Sequence, residues 1–409
     1  MYQRYSHVEH ILKRPDTYVG SLPSETSQCW VRKDNKFELR TINVSPGLVK
    51  IFDEILVNAI DQHSLHPKKV GEIKVAVSGG GILVANSGVC IPIKKHETEK
   101  GSDGKPLWIP ELVFGHLLTS SNYNDEEQRV TGGRNGYGAK LANVFSSKFW
   151  IKITDGKKSY SQAWHANMGR CEPAVVEACT DPVGVQVGFI PDWPRFGGQG
   201  DFELVAEKRT WDAAMWCSKC KVSFNGRILN VNSLEEYAKM HMGEVPVAIH
   251  HSDGLNLVVG HSDTGAFQQC SWVNGIATTK GGTHIDKIVK TISDEILKDK
   301  KAASAKPAQI KSNLFVFARS VIVNPTFSSQ TKAECTSKIT DAINFKPKFI
   351  KDILASGVLD ALVELNAAKL DRELKKTDGS KKTRITGIPK LDDANWAGTH
   401  RSQDCTLII

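Results

Sequence analysis

The sequence predicts an α+β protein built as two domains, and three observations carry that expectation. A length of 409 residues, at roughly 100–200 residues per domain, makes two or three domains that each bury a core. Helical periodicity and strand alternation follow one another along the chain instead of separating into halves. A second αβ unit opens near Asn232, after a series of strand-like runs. The composition agrees, because 40% hydrophobic and 24% charged residues are ordinary for a globular chain and exclude a disordered, collagen-like or coiled-coil one.

The elements follow in order. Ser45 caps a helix whose first position is Pro46, where a missing N–H is harmless. Leu48, Ile51, Phe52, Ile55, Leu56, Ala59 and Ile60 then form one apolar stripe. Beside it Glu54, Asn58 and Asp61 stand at i, i+4 and i+7, projecting from one narrow face. Ile73–Val77 and Ile82–Ala85, split by Gly79-Gly80-Gly81, read as a hairpin. From Gly101 to Gly138 the chain is rich in Gly, Ser, Asn and acidic residues, the composition of a functional lid. Phe149–Ile153, Gly184–Ile190 and Lys221–Asn225 suggest an antiparallel sheet with turns across 149–231. In the second unit, strands are expected at Leu255–Gly260 and Leu314–Val323, an amphipathic helix at Thr283–Asp299, and a last helix from about Pro347 to Lys375.

Lys plus Arg number 53 against 45 for Asp plus Glu, a net charge of +8. That excess suits an anionic partner without naming one. No apolar run approaches the roughly 18 residues of a membrane span, and Met1-Tyr2-Gln3-Arg4 has no apolar signal core, so a soluble intracellular protein is expected. Nine cysteines scattered along the chain point to free thiols in a reducing compartment. Cys217 and Cys220 have metal-like spacing but no second pair at a finger-like distance, so ordinary half-buried thiols are the preferred reading.

Gly132-Gly133-Arg134-Asn135-Gly136-Tyr137-Gly138-Ala139-Lys140 is the strongest local signal for chemistry. Its backbone N–H groups and Lys140 suit phosphate oxygens. It is no P-loop, because Ala139 separates Gly138 from Lys140 and Leu141 follows. Nor is it a dinucleotide fingerprint, since position 141 is not glycine. Taken alone it fits a structural turn as well as a phosphate cradle. Glu54 and Asn58 suit a carboxylate that activates water beside an amide that ligates Mg²⁺, or a solvated helix edge. Asn86-Ser87-Gly88 and Gln330-Thr331-Lys332 are, individually, a turn and a polar loop.

Together and in this order they resemble the ATP site shared by gyrase, heat-shock chaperones, histidine kinases and mismatch-repair ATPases (the GHKL superfamily). The longer runs Glu9–Gly20, Leu117–Tyr123, Asn324–Lys332 and Gly387–Asn395 resemble the N-terminal half of eukaryotic-type type IIA DNA topoisomerases, from Tyr2 to the end of the chain. The resemblance implies a GHKL (Bergerat) ATP-binding α/β sandwich over 1–231. It implies a transducer domain of ribosomal S5 domain 2-like αβ fold over 232–395, and the start of a linker over 396–409. The family's chain continues into a metal-binding cleavage domain, so an ATPase fragment that cannot cut DNA alone is expected.

By the same resemblance Glu54 would be the general base and Asn58 the Mg²⁺ ligand, with Asn86 at the adenine end. Ser120, Ser121 and Asn122 would hold ribose and phosphate, while Gly133, Arg134, Asn135, Gly136, Tyr137, Gly138, Ala139 and Lys140 would cradle the phosphates. Gln330, Thr331 and Lys332 would reach the γ-phosphate from the second domain, so that hydrolysis moves that domain. The lid would span Glu126–Gly132, and Tyr2 would cross to the ATP of the other subunit. The implied cofactors are ATP and Mg²⁺; the implied partners are a second copy, closing an ATP-dependent gate, and double-stranded DNA, with no membrane. The implied location is the nucleus, or a viral factory or virion. Cys90 stands where the family's turn has its second glycine, which bears on the fine geometry there. The basic run of Lys298, Lys300, Lys301, Lys306 and Lys311 suits either a DNA backbone or a solvated loop. The alternatives are a mismatch-repair or chaperone type ATPase, and a nucleotide-gated dimerising clamp that hardly hydrolyses; Glu54 argues against the second, because a pure switch needs no base.

Overall fold

The computed structural model describes residues 4–101, 103–119, 130–131, 136–367, 396 and 399–404. The chain opens with α1 (His7–Lys13), closed at its start by a Ser6–Glu9 capping box, and a twisted ribbon of β1 (Glu25–Lys33) and β2 (Lys36–Val44). Then comes α2 (Pro46–Leu65), capped by the Ser45 hydroxyl, which accepts from the Leu48 N–H at 3.3 Å. The whole apolar stripe of α2 is buried, each residue at 4% exposure or less.

The hairpin β3 (Glu72–Ser78) and β4 (Gly81–Ser87) pairs as the alternation requires, with Val75 opposite Val84. A short ribbon of β5 (Lys95–Lys100) and β6 (Pro106–Trp108) leads to α3 (Ile109–Gly115), and α4 (Gly138–Val144) follows. Next are β7 (Ser146–Thr154), β8 (Lys158–His165), β9 (Arg170–Cys171), β10 (Val175–Ala178) and β11 (Gly184–Pro191). A helix, α5 (Phe202–Trp216), precedes β12 (Lys221–Phe224) and β13 (Arg227–Ile228). These strands form one sheet in the order β10-β8-β7-β11-β4-β3-β12-β13, with β9 on β8. The expected all-antiparallel sheet is corrected at one place, since β12 runs parallel to β3. That crossover is possible because α5 intervenes, an element absent from the strand-only expectation for 149–231. Its residues are buried nearly all round, so no one-sided stripe marks it.

After α6 (Leu234–Met242) a second sheet is built from β14 (Ala248–Ser252), β15 (Leu255–His261), β16 (Gln268–Val273) and β17 (Ile276–Ala277). β18 (Gly281–Gly282), α7 (Thr283–Ile296), α8 (Pro307–Ser312), β19 (Leu314–Ser320), β20 (Glu334–Cys335) and α9 (Pro347–Ile353) complete the fold. The order is β14-β15-β19-β16-β17. One face carries Trp272, Phe315 and Phe317 into the core shared with the first sheet, while α7 and α9 cover the other.

Three elements of the second unit depart from expectation by more than a residue or two. β19 stops at Ser320 because the Ile322 N–H leaves the ladder for the Asn274 Oδ1 at 2.9 Å. α7 ends at Ile296 and not at Asp299. The last helix is interrupted over Leu354–Val358, where Gly357 has φ 104°, and its far end lies outside the described residues.

Candidate active site

Helix α2 supplies the centre of the site. Glu54 is only 7% exposed, which overturns the solvated-edge alternative for it. Its oxygen Oε1 accepts from two ammonium groups. Lys50, one turn earlier on the same helix face, is 5% exposed; Lys332, from the loop between β19 and β20, lies at 3.1 Å. Burial by itself raises the carboxyl, but Lys332 and then Lys50 outweigh it and hold Glu54 down to about 2. Burial likewise draws the Lys50 ammonium down, against the attraction of Glu54. Asn58, one turn further on, is exposed at the rim.

The second oxygen of Glu54 faces Gly138, the first residue of α4. A β-carbon on Gly138 would come to 2.1 Å from Oε2, so a glycine here lets the backbone close over the carboxylate. Gly136 has φ 64°, and its carbonyl accepts from the Lys140 Nζ at 2.7 Å, as does the carbonyl of Thr119. Lys140 thus braces the two ends of the intervening segment; burial pushes its ammonium down to about 8. Tyr137 stands 6.3 Å from the Tyr18 ring, and Ala139 is buried.

Asn86 and Ser87 are the last two residues of β4, not a turn; Asn86 is half-buried, paired across to Ile73 and Val185. Gly88 follows with φ 82°, where a β-carbon would meet the Lys69 carbonyl oxygen at 1.8 Å. Cys90 beside it is half-buried, and burial raises its thiol. Gln330, Thr331 and Lys332 form a half-buried strap, Lys332 at φ 59°. Thr331 lies against Gly20, where a β-carbon would stand 3.1 Å from its Cγ2. The strap is tied down by parallel pairing of Gly281 with Glu334 and of Gly282 with Cys335. Tyr2, Ser120, Ser121, Asn122, Gly133, Arg134, Asn135, the Glu126–Arg129 part of the lid and Gly132 lie outside the described residues.

The structure therefore brings together Glu54, Gly138 and Lys332, and places Asn58 at the edge of that group. Sequence reasoning missed Lys50, although its i−4 spacing from Glu54 was a usable signal. It also missed Arg209 of α5, which had none. Lys298 and Lys311 of the basic run are paired with Glu295 at 2.6 Å and Asp286 at 3.5 Å. Cys217 is buried in the core, and burial raises both its thiol and that of Cys220. No group of three His, Cys, Asp or Glu side chains suited to a metal occurs among the described residues. The donor set fits Mg²⁺ arriving on phosphates, for which one amide oxygen at Asn58 and retained waters suffice.

A long helix carrying a buried Glu and an exposed Asn one turn apart, packed against a mixed sheet and closed by a Gly-rich helix start, defines the GHKL class of nucleotide-binding folds. The DNA gyrase B family model matches residues 231–380. The crystal structure of the ATPase region of Saccharomyces cerevisiae topoisomerase II superposes with a TM-score of 0.82 at 35% identity, covering 90% of this chain and 98% of that one. The ATPase and transducer domains of DNA topoisomerase II from Balamuthia mandrillaris superpose at 0.82 and 32% identity, covering 91% and 98%. DNA topoisomerase 2 of Candida glabrata is 40% identical over 444 residues, covering 100% of this chain and 31% of the relative; that of Pisum sativum is 40% identical, covering 100% and 29%. The chain belongs to the type II DNA topoisomerase family and corresponds to its ATPase region. It spans about a third of the length of the curated relatives it matches.

Proposed function

We propose that this chain binds ATP with Mg²⁺ and hydrolyses it, and that nucleotide binding closes a gate between two copies to capture a DNA duplex. In this reading strand passage then runs through a double-strand break made by the family's cleavage half. The observation that carries the reading is Glu54, a buried carboxylate approached by a lysine from the second sheet. Phosphoryl transfer asks little covalent chemistry of a protein; positioning and charge placement do the work. Glu54 orients the attacking water and receives its proton. With two lysines on it the carboxylate is a weak base. When Lys332 turns to a γ-phosphate, one of those cations leaves and Glu54 becomes more basic as the reaction needs it. Asn58 holds the Mg²⁺, which neutralises charge on the phosphates. Asn86 reads the adenine end. Ser120, Ser121 and Asn122 hold ribose and phosphate, the backbone of Gly133–Lys140 wraps the phosphates, and Gln330 and Thr331 approach the γ-phosphate on the same strap as Lys332. Tyr2 reaches the nucleotide of the second copy.

The test is Mg²⁺-dependent ATP turnover, with molecular size followed as a non-hydrolysable analogue is added. Turnover together with conversion of monomer to dimer supports the gate. Turnover without dimerisation removes the gate, and the absence of both turnover and dimerisation removes the enzyme reading. Glu54→Ala is expected to retain analogue binding and dimerisation while turnover falls ~100-fold or more; wild-type turnover in that variant rules Glu54 out as the base.

A further inference from the structure

Asp53, the neighbour of Glu54 on α2, points the other way, into a buried ionic network. Its Oδ1 accepts from the Arg209 Nε of α5 at 2.8 Å. Arg209 also donates through Nη1 to the Asp212 Oδ2 at 2.5 Å. Asp212 accepts in turn from Lys208, at 3.0 and 3.1 Å, and from the Tyr237 hydroxyl of α6 at 2.5 Å. Lys208 sits 5.5 Å over the Trp272 ring of β16, in the second sheet. Arg209, Asp212, Tyr237 and Trp272 are each 5% exposed or less, while Asp53, at 24%, is the open end. A parallel link runs from the far end of α2. The Trp216 Nε1 donates to the Ser64 Oγ at 3.4 Å, and the Trp216 carbonyl accepts from Arg319 of β19 at 3.1 Å. Between the two links Ile60 packs so closely on the Gly275 turn that a β-carbon there would meet it at 2.6 Å.

A buried ion cluster of this kind adds little net stability over an apolar replacement, so its main consequence is geometric. Asp53 and Ser64 are about 16 Å apart along the axis, and both ends are tied through α5 to the sheet from which the Lys332 loop departs. A carboxylate about 6 Å from a helix axis shifts about 1 Å for about 10° of roll, and a misplacement of about 1 Å is worth ~100-fold in rate. We infer that Arg209 is a positioning residue for the reaction: by holding Asp53 it fixes the roll of α2, and so aims Glu54 at the phosphate and at Lys332. This rests on the ATPase reading above.

The variant of choice is Asp53→Ala, because it leaves Arg209 paired with Asp212, sits at the exposed end and keeps a good helix former in α2. Turnover should fall about tenfold or more, with analogue affinity within about twofold and melting temperature nearly unchanged. Asp53→Asn keeps an acceptor oxygen for the Arg209 Nε and should recover most of the rate. Wild-type turnover in Asp53→Ala overturns the inference, and so does Asp53→Asn as slow as Asp53→Ala, which would make the charge and not the hydrogen bond responsible. A loss of rate, affinity and melting temperature in parallel also overturns it, as a purely structural effect. Wild-type protein without Mg²⁺-dependent turnover removes the ATPase reading and the positioning role with it, an outcome separate from a normal wild type beside an unimpaired variant.

Discussion

At the scale of single residues, a carboxylate buried as deeply as Glu54 stays ionised only because two ammonium groups stand on one of its oxygens. Its folded value lies well below its ordinary one near 4.5. The stability this contributes is therefore full above about pH 4.5 and is lost as pH falls toward 2. The other oxygen is hemmed in by Gly138, and that contact makes a sharp prediction. Gly138→Ala drives a β-carbon into the carboxylate, so turnover should drop ~100-fold with far less change in the binding of a non-hydrolysable analogue; unchanged turnover would show that the turn relaxes away from Glu54. Lys332→Ala belongs beside it. Hydrolysis should slow more than analogue binding weakens, and an equal loss in both would mean that Lys332 contributes only to binding.

At the scale of elements, α2 shows how local chemistry and burial combine. Its start was readable from Ser45 and Pro46, and its buried stripe from spacing alone. Ser45→Ala removes an acceptor that the Leu48 N–H uses inside the core and is expected to lower stability by about 1 kcal/mol, measured by denaturant unfolding; no change would mean that another group caps the helix. The opposite case is α5. With buried residues on every side it carries no periodic signature, so strand expectations spread over it. β19 fails for a different reason: the apolar run continues through Val323, but the Asn274 side chain captures the Ile322 backbone. Local pattern cannot report a capture made by a residue far away in sequence.

At the scale of the whole molecule, histidines enclosed during folding add their own share to the acid dependence of stability. His241, ringed by Trp30, Phe37, Tyr237 and Phe317, is pushed by burial down to about 3, and His284 to about 4, from the usual 6.5. The unfolded chain binds those protons first, so stability should be full above about pH 6.5 and decline as pH falls, by about 1.4 kcal/mol per unit for each group. His241→Phe keeps the ring contacts and should flatten the decline between pH 6.5 and 5 by one proton's share; an unaltered slope would assign the loss elsewhere. The class of protein was written in the sequence itself, because glycines, caps and the Glu–Asn spacing act over a few residues and leave their mark wherever the chain is read. The tertiary structure alone decided which groups meet at Glu54. Lys332 comes from 278 residues away, and Arg209 reaches α2 from a helix without a pattern. Such meetings depend on how sheets and helices pack, and no local spacing encodes the distance between two points far apart along the chain.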